Sequence, residues 1–359
     1  MNRESGSAPA DHEIPAFWPM PAAHGAALSS AQLKSTPEDF VVEEQPNWQP
    51  HGDGEHDVLW IEKRDANTRW VAEQLASFAQ CHPRDVGFAG LKDRFALTRQ
   101  WFSVHRPGRS IDWSTFQASG VRILTHAVHN RKLRVGALTG NRFEILLRDV
   151  SADREQLGAR FALLEQYGIP NYFGAQRFGR EQSNLRMALR LARRQRLKRA
   201  QKTFALSAAR AAIFNATLAR RVAADQWRTP IDGDLLMLSG SHSFFAFDEH
   251  DVDEIVARCE RADVSPTGPL WGAPGTLADG EAGELEQMIA DQYPDFRNAT
   301  LAGGVTLQRR ALRMMPEQCS LQHDASFVRL AFTLPSGSFA TVLVHELFDV
   351  DDVSQRSRT

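Results

Sequence analysis

The chain has 359 residues, more than one typical domain, so two modules are expected. Its residues are 42% hydrophobic and 24% charged, a balance that excludes global disorder. The 42 Lys and Arg residues nearly balance the 44 Asp and Glu residues. The resulting net charge of -2 therefore neither indicates nor excludes a nucleic-acid partner.

The cysteines and the apolar runs argue against other protein classes. Cys81, Cys259 and Cys319 are far apart and odd in number, which argues against a disulfide framework or a zinc cluster and favours reduced thiols. No apolar run is long enough to span a bilayer, and the N-terminal residues lack the continuous apolar region of a secretory signal. We therefore expect a cytoplasmic protein.

The first predicted elements follow a segment without periodicity. Residues 1–28 are rich in Ala, Pro, Gly and Ser, and we expect them to form a flexible tail. Strands are predicted at 40–42 and 58–61, on either side of a loop with two glycines. A helix should follow, with Asn67 or Thr68 as its N-cap. Its apolar residues share one face: Val71, Leu75 and Phe78.

The later segments add strands and a terminal helix. Residues 101–104 predict one strand, and the alternation of Phe143, Ile145 and Leu147 predicts another. A further alternation predicts a strand that ends at Pro335: Val328, Leu330, Phe332 and Leu334. Ser338 is the expected N-cap of a helix through Leu347. Strands and helices are mixed without a βαβ repeat, which indicates an α+β fold.

The middle of the chain has segregated charge. Ser207 is the expected N-cap of an apolar-faced helix there. Between Arg177 and Arg221 there are thirteen basic residues and one acid, whereas between Asp232 and Asp291 the only bases are Arg258 and Arg261. The basic stretch suits a phosphate backbone, and a solvated helical face explains it equally well. Five of its bases are the strongest candidates for RNA contacts: Arg193, Arg194, Arg196, Lys198 and Arg199.

One loop contains a candidate catalytic carboxylate. Asp93 lies between Lys92 and Arg94, after two glycines and before an apolar strand. A carboxylate between two cations stays ionised and can act as a nucleophile or a general base. Ion-paired loops are common, so from spacing alone a structural role for Asp93 is the simpler interpretation.

Three phenylalanines are further site candidates, whereas the histidines are not. Phe40, Phe143 and Phe339 each lie beside a polar loop or turn, where a flipped base could stack, although each also suits a core position. The histidines lack the spacing of a metal motif, so we expect no metal site.

Seven motifs resemble the TruD family of tRNA pseudouridine synthases, in the same order along the chain. They are TPEDFVV at 36–42, NTR at 67–69, FAGLKD at 88–93, RKLRVGALTGNRF at 131–143, PNYFGAQRFG at 170–179, LSAAR at 206–210 and PSGSFAT at 335–341. Together they cover nearly the whole chain after the N-terminal tail.

The resemblance implies a pseudouridine synthase fold, a mixed sheet flanked by helices, interrupted by a family-specific insertion. The insertion is placed at 167–313, which leaves a catalytic domain of residues 29–166 and 314–359. The family converts uridine 13, in the D-arm region of tRNA, to pseudouridine and needs no cofactor or metal. The implied partner is tRNA, and we expect a monomer.

The resemblance also implies roles for individual residues. Asp93 matches the family's nucleophilic aspartate, and Lys34 matches a basic residue near it. Phe143 stands where most other pseudouridine synthases have tyrosine. Positions implied to contact the target nucleotide are Phe40, Asn141 and Phe339. Leu91 stands where relatives can have glutamine, a difference that does not touch the proposed chemistry.

Two other functions fit parts of the pattern. A catalytically silent tRNA-binding or folding protein could use the same scaffold, but the intact Lys92–Asp93 pair with Asn141 and Phe143 favours an enzyme. A glycosidic hydrolase would need a second carboxylate as acid or base, and none is evident near Asp93 in sequence.

Overall fold

The computed structural model describes residues 14–358. They form two compact units. The sheet unit comprises residues 22–171 and 313–358, and the middle unit comprises residues 172–312 with residues 14–21. The assignment of 167–313 as a family insertion stays a prediction. The middle unit is the part of the structure that overlaps this range. Among the described residues, no helix combines the length and apolar character needed to cross a bilayer.

The first part of the sheet unit is mostly strands. Its elements are β1 (Ser29–Leu33), β2 (Phe40–Gln45), β3 (His56–Arg64), α1 (Thr68–Phe78), β4 (Val86–Phe88), β5 (Leu97–His105), β6 (Val121–His129), β7 (Gly140–Arg148), α2 (Arg154–Tyr167) and β8 (Ile169–Pro170).

The middle unit is richer in helix. Its elements are α3 (Ser183–Ala192), α4 (Arg199–Ala223), β9 (Leu235–Leu238), β10 (Phe244–Ala246), α5 (Val252–Glu260), β11 (Val264–Leu270), α6 (Gly280–Gln292), α7 (Pro294–Gly303) and β12 (Gln308–Ala311). The chain then returns to the sheet unit with β13 (Arg313–Met314), β14 (Glu317–His323), β15 (Phe327–Pro335), α8 (Ala340–His345) and β16 (Phe348–Asp352).

A mixed sheet organises the sheet unit. Its main path runs β14-β15-β7-β2-β5-β3-β6; β4 pairs with β5, and β1 pairs with both β16 and β7. Strand β2 is antiparallel to β7 and parallel to β5. The predicted α+β class and the predicted strands are confirmed, because each lies within an observed strand.

The pairing of β7 with β2 and β15 determines which residues share one face of the sheet. Val42 and Phe332 lie opposite Phe143, on β2 and β15 respectively. Glu44 on β2 and Leu334 on β15 lie opposite Asn141. Directly opposed residues point to the same face, and alternate residues along a strand share it. One face of the sheet therefore carries Phe40, Val42, Glu44, Asn141, Phe143 and Phe332.

Helix α1 packs on this sheet through the apolar residues that its spacing predicts. Asn67 precedes the helix with an extended backbone, as an N-cap residue does. Val71 and Leu75 are fully buried in a core cluster with Leu59, Ile61 and Phe102. This packing places the start of α1, at Thr68, close to the loop between β4 and β5.

Two expected helix N-caps were wrong. Ser207 lies inside α4 and accepts a hydrogen bond from Arg177 Nη1 (2.7 Å), because the helix already begins at Arg199. Ser338 belongs to the turn after β15, where its N–H donates to Pro335 O (3.3 Å), and Phe339 is the N-cap of α8.

Residues 14–28, which the sequence places in the expected flexible tail, make defined contacts in the structure. Phe17 is buried in the middle unit, with its ring centroid 5.1 Å from that of Tyr293 and 5.7 Å from that of Phe296. In the sheet unit, the N–H groups of Ala23 and His24 donate to the Glu346 carboxylate. These few anchors lie among Ala, Pro and Gly residues, so periodicity did not indicate them. Residues 1–13, the rest of the expected tail, lie outside the described residues.

Candidate active site

Asp93 lies in the loop between β4 and β5, and the start of α1 holds this loop. Thr68 Oγ1 accepts a hydrogen bond from Lys92 N (3.0 Å) and donates to Gln100 Oε1 (3.0 Å). Gln100 Nε2 in turn donates to Gly90 O (3.0 Å). Thr68 and Gln100 are buried, so these bonds are sheltered from water and fix the backbone just before Asp93.

The Asp93 carboxylate is bound on both oxygens. Oδ2 accepts from Lys34 Nζ in a close ion pair, and Oδ1 accepts from Phe95 N (3.2 Å). The Asp93 side chain is 37% exposed, whereas that of Lys34 is only 5% exposed. The structure thus brings together the two residues predicted to be catalytic partners, with the carboxylate toward solvent and the ammonium beneath it.

Lys34 takes this position through an unusual backbone conformation. It directly follows β1 and has a left-handed backbone with φ of 58°. Non-glycine residues held in this region are uncommon and occur often at functional sites. Its Nζ also lies 4.4 Å from the centroid of the Phe40 ring, so one ammonium contacts both the carboxylate and an aromatic face.

The cations that flank Asp93 in sequence do not pair with it. Lys92 Nζ donates to Glu44 Oε2 (2.8 Å) in an ion pair with both side chains buried, and exposed Arg94 pairs with Asp65 (3.1 Å). Burial raises the pKa of Glu44, while the positive charge of Lys92 acts in the opposite direction. The interpretation in which the neighbouring cations satisfy the Asp93 carboxylate was therefore wrong; Lys34 binds it instead.

The predicted aromatic residues form a connected layer beside this pair. The rings of Phe40 and Phe143 meet edge to face with centroids 6.1 Å apart, and Phe143 stacks on Phe332 at 5.6 Å. Phe40 and Phe143 are both buried. Phe40 therefore connects Lys34 to Phe143, which itself has no titratable group.

Asn141 lies near the start of β7, and Phe339 lies just before α8. The Asn141 Oδ1 atom is buried and has no hydrogen-bond partner among the described residues, so an acceptor is available there. Phe339 is buried just after the turn that follows β15, the strand that pairs with β7 at Asn141. An unsatisfied buried acceptor is costly, and a ligand that donates to it removes the cost.

The five bases predicted to contact RNA belong to the middle unit. All are exposed, between the end of α3 and the start of α4: Arg193, Arg194, Arg196, Lys198 and Arg199. None of the five has an ion pair with an acid among residues 14–358. Other bases of the stretch point inward. Arg221 is buried against Asp234 (2.8 Å), and Arg210 donates to Leu270 O (2.9 Å).

Comparison with known proteins assigns the family. The family model described as tRNA pseudouridine synthase D (TruD) matches residues 29–195 and 192–347. The chain belongs to the TruD family.

Individual relatives agree with this assignment over almost their whole lengths. The TruD chain is 40% identical over 343 residues to the tRNA pseudouridine synthase D of Methylococcus capsulatus (strain Bath), covering 94% of this chain and 97% of that one. It is 43% identical over 338 residues to the tRNA pseudouridine synthase D of Chromohalobacter salexigens, covering 92% and 97%.

A solved structure has the same fold. The crystal structure of a putative tRNA pseudouridine synthase D from Methanosarcina mazei superimposes with a TM-score of 0.67 and 20% sequence identity. The match covers 92% of this chain and 95% of that chain. The predicted pseudouridine synthase fold is therefore confirmed.

Sequence reasoning missed two charged residues of this TruD site, Glu44 and Lys63. Glu44 binds Lys92, and Lys63 Nζ donates to the main-chain oxygen of Asp93 (2.9 Å). The alternation of buried positions along each strand could have identified both residues. Glu44 lies on the same buried face as Phe40 and Val42. Lys63 lies on the same buried face as Leu59 and Ile61. A charge at a buried strand position needs a partner, which points to a site.

Proposed function

We propose that this chain isomerises uridine 13 of tRNA to pseudouridine, with Asp93 as the nucleophile and without a cofactor or metal. Membership of the TruD family supports the reaction class, the isomerisation of uridine in tRNA. The observation that carries the proposal for Asp93 is its contact with a buried ammonium. The carboxylate is partly exposed, so substrate can reach it, while Lys34 binds it from beneath.

The electrostatics of the pair suit a nucleophile. A cation in contact with a carboxylate favours its charged form, and hydrogen bonds to both oxygens restrict its orientation. Phe95 N supplies the second of these bonds. An ionised carboxylate with fixed geometry can divide a difficult substitution into two easier steps.

The reaction moves one bond and conserves all atoms. The target uridine leaves its stack, its N1–C1′ bond breaks, the base rotates, and C5 bonds to C1′. The proton lost from C5 is balanced by the proton gained at N1. Asp93 either attacks C1′ or assists formation of a glycal-like species; both routes place its carboxylate at the ribose.

We propose that the aromatic layer and Asn141 bind the base. We propose that uracil stacks on the rings of Phe40 and Phe339. Phe143 packs against Phe40 and has no proton to exchange. The free Oδ1 atom of Asn141 suits the N3–H donor of uracil. These assignments explain why an aromatic layer and an unsatisfied amide belong to the same sheet face.

The substrate also accounts for the exposed bases of the middle unit. We propose that the five bases from Arg193 to Arg199 contact the phosphate backbone of tRNA, which positions substrate without reading its sequence. We further propose that the protein acts as a monomer in the cytoplasm.

Mapping pseudouridine in tRNA after incubation with purified protein tests this function. The wild-type chain is expected to yield pseudouridine at position 13, whereas Asp93→Asn and Asp93→Ala yield none and still bind tRNA. The amide and the methyl group both lack the anionic oxygen that the reaction needs. Activity of either variant within about tenfold of wild type contradicts the assignment of the nucleophile.

The same assay separates the rival functions. A silent RNA-binding protein leaves uridine 13 unchanged in the presence of the wild-type chain. A glycosidic hydrolase releases free uracil and leaves an abasic nucleotide. Either product pattern contradicts the proposed isomerisation, and pseudouridine at a different position contradicts only the site assignment.

A further inference from the structure

Lys63 is a fully buried lysine on β3 that points toward the back of the Asp93 loop. Its ammonium donates to Ala66 O (2.7 Å) and to the main-chain oxygen of Asp93 (2.9 Å). No acid among the described residues lies within ion-pair distance of it. A lysine is almost never fully buried without a carboxylate partner, because desolvation of the charge is costly. Such a position therefore needs an explanation.

Other groups already hold the loop through neutral hydrogen bonds. Thr68 Oγ1 binds Lys92 N, and Gln100 Nε2 binds Gly90 O, each at 3.0 Å. A neutral donor in place of Lys63 could satisfy the same two carbonyls at a lower desolvation cost. What a lysine adds is a positive charge, which makes its hydrogen bond to the main-chain oxygen of Asp93 stronger than a neutral one.

The charged groups around Lys63 act in opposite directions. Burial lowers the pKa of Lys63 to about 8; Asp93 and Asp65 raise it, and Lys92 lowers it further. The ammonium is thus largely protonated at neutral pH and loses its proton under mildly alkaline conditions. This titration provides a way to remove the charge without a substitution.

We propose that Lys63 is a positioning residue for Asp93, which it orients through a charge-assisted hydrogen bond to the main-chain carbonyl. The inference rests on the proposed role of Asp93 as nucleophile. Both hydrogen bonds of the Lys63 ammonium go to main-chain oxygens, not to the Asp93 carboxylate. It acts through the backbone of residue 93, so its loss should lower the rate of the chemical step and leave tRNA binding nearly unchanged.

The test is the pH dependence of kcat with saturating tRNA between about pH 6.5 and about pH 9. Wild-type kcat is expected to fall with a midpoint close to 8, as Lys63 loses its proton. Lys63→Arg keeps the charge throughout this range, so its profile should stay flat there. Lys63→Met should lower kcat roughly 10- to 100-fold at neutral pH, change KM less than about threefold, and show no midpoint near 8.

Thr68→Val is the matched control. It removes a hydrogen bond to the same loop without removing a charge, so any loss of kcat should leave the wild-type midpoint in place. A Lys63→Met enzyme with wild-type kcat and midpoint overturns the inference. If that variant does not fold, the Lys63→Arg profile decides, because a wild-type midpoint in Lys63→Arg overturns it as well.

Asp93→Asn, measured in the same series, separates this inference from the proposed function. An active Asp93→Asn enzyme contradicts the nucleophile assignment and, with it, the inference. An inactive Asp93→Asn enzyme beside Lys63 variants with wild-type profiles contradicts only the role of Lys63.

Discussion

The Phe40 ring contacts two groups of the site at once. Lys34 Nζ lies 4.4 Å from its centroid, and Phe143 meets it edge to face. A cation over an aromatic ring is worth about 0.5–1 kcal/mol when exposed and about 2 kcal/mol when desolvated. Lys34 is buried, so its contact with Phe40 belongs toward the upper end of that range. The ring therefore helps hold the ammonium in place beneath Asp93.

Phe40→Leu is expected to weaken productive substrate binding roughly ten- to a hundredfold, because stacking of one base contributes ~1–3 kcal/mol. Phe339→Leu should have an effect of the same size. Leucine keeps much of the apolar volume, so the variants test the ring rather than the core. The measurement is kcat/KM for pseudouridine formation, with the urea unfolding midpoint as a check on folding.

Phe102→Leu provides the matched control for both variants. Phe102 is a fully buried phenylalanine of the same sheet, packed in the cluster with Leu59 and Leu75. Its substitution should lower stability and leave kcat/KM nearly unchanged. An equal loss of kcat/KM in all three variants assigns the effect to stability and contradicts the stacking role.

At the residue scale, the family motif indicated the contacts of Asp93 better than sequence proximity did. The family motif identified Asp93 and Lys34, which are 59 positions apart and form an ion pair. Sequence proximity, by contrast, suggested Lys92 and Arg94 as the partners of Asp93. Successive side chains in a loop point in different directions, so neighbours in sequence need not be neighbours in space. The contacts of Lys92 and Arg94 with Glu44 and Asp65 depend on the fold of the strands around them.

At the scale of elements, the residue that follows α8 anchors the first described segment of the sheet unit. The carboxylate of Glu346, just after α8, accepts from Ala23 N (3.0 Å) and His24 N (3.1 Å). His24 Nε2 also lies 2.8 Å from Gly168 O, just after α2. Burial raises the pKa of Glu346 to about 7, although both backbone donors and the charge of Arg160 lower it.

The raised pKa predicts a pH-dependent stability. The folded state binds the Glu346 proton more tightly than the unfolded chain does. The contribution is therefore complete below the unfolded pKa of 4.5 and is lost as pH rises through about 7. Relative to Glu346→Gln, which cannot ionise, wild type should lose up to roughly 3 kcal/mol of stability across this interval.

Urea unfolding midpoints of the two proteins at several pH values measure this difference. Glu155→Gln is the control, because Glu155 is an exposed acid in the same unit and its substitution should give a difference that varies little with pH. A constant difference between wild type and Glu346→Gln from acidic to neutral pH contradicts the prediction.

Strand positions were easier to predict than helix ends. The alternating residues of β7 and β15 identify their buried faces directly, since each face of a strand has its own environment. The starts of two helices were predicted at the wrong residues. Ser207 and Ser338 have the side chains of N-caps, but α4 starts earlier and α8 starts later. A capping residue favours a helix start only where the tertiary structure lets the chain turn there.

At the scale of the whole molecule, the net charge is near zero, but some basic residues are buried in ion pairs and others are exposed. Buried ion pairs neutralise some of them, as Asp234 does for Arg221 and Glu286 does for Arg309. The cluster from Arg193 to Arg199 remains exposed and has no such partners among the described residues. The sequence revealed the excess of positive charge between Arg177 and Arg221. It could not reveal which bases turn inward, because that depends on the packing of α4.

Replacing Arg193, Arg194, Arg196, Lys198 and Arg199 together by Ser should lower tRNA affinity and flatten its dependence on salt. Each phosphate contact releases counterions, so the logarithm of the binding constant falls with the logarithm of salt concentration with a slope of roughly -0.7 to -0.9 per contact. The loss of five bases therefore reduces the slope by up to about 4. Pseudouridine formation at saturating tRNA should persist, because these bases position the backbone and do not reach the glycosidic bond.

Binding titrations at several salt concentrations measure this slope. Arg261→Ser is the control for removal of a single base, because Arg261 already pairs with Glu254 and Asp263 in the acidic part of the middle unit. Its slope should match that of wild type. If the slope of the quintuple variant also equals that of wild type, the cluster faces solvent and other bases contact tRNA. A flattened slope with loss of activity even at saturating tRNA contradicts the separation of binding from chemistry. It would mean that the cluster also determines how the target nucleotide reaches Asp93.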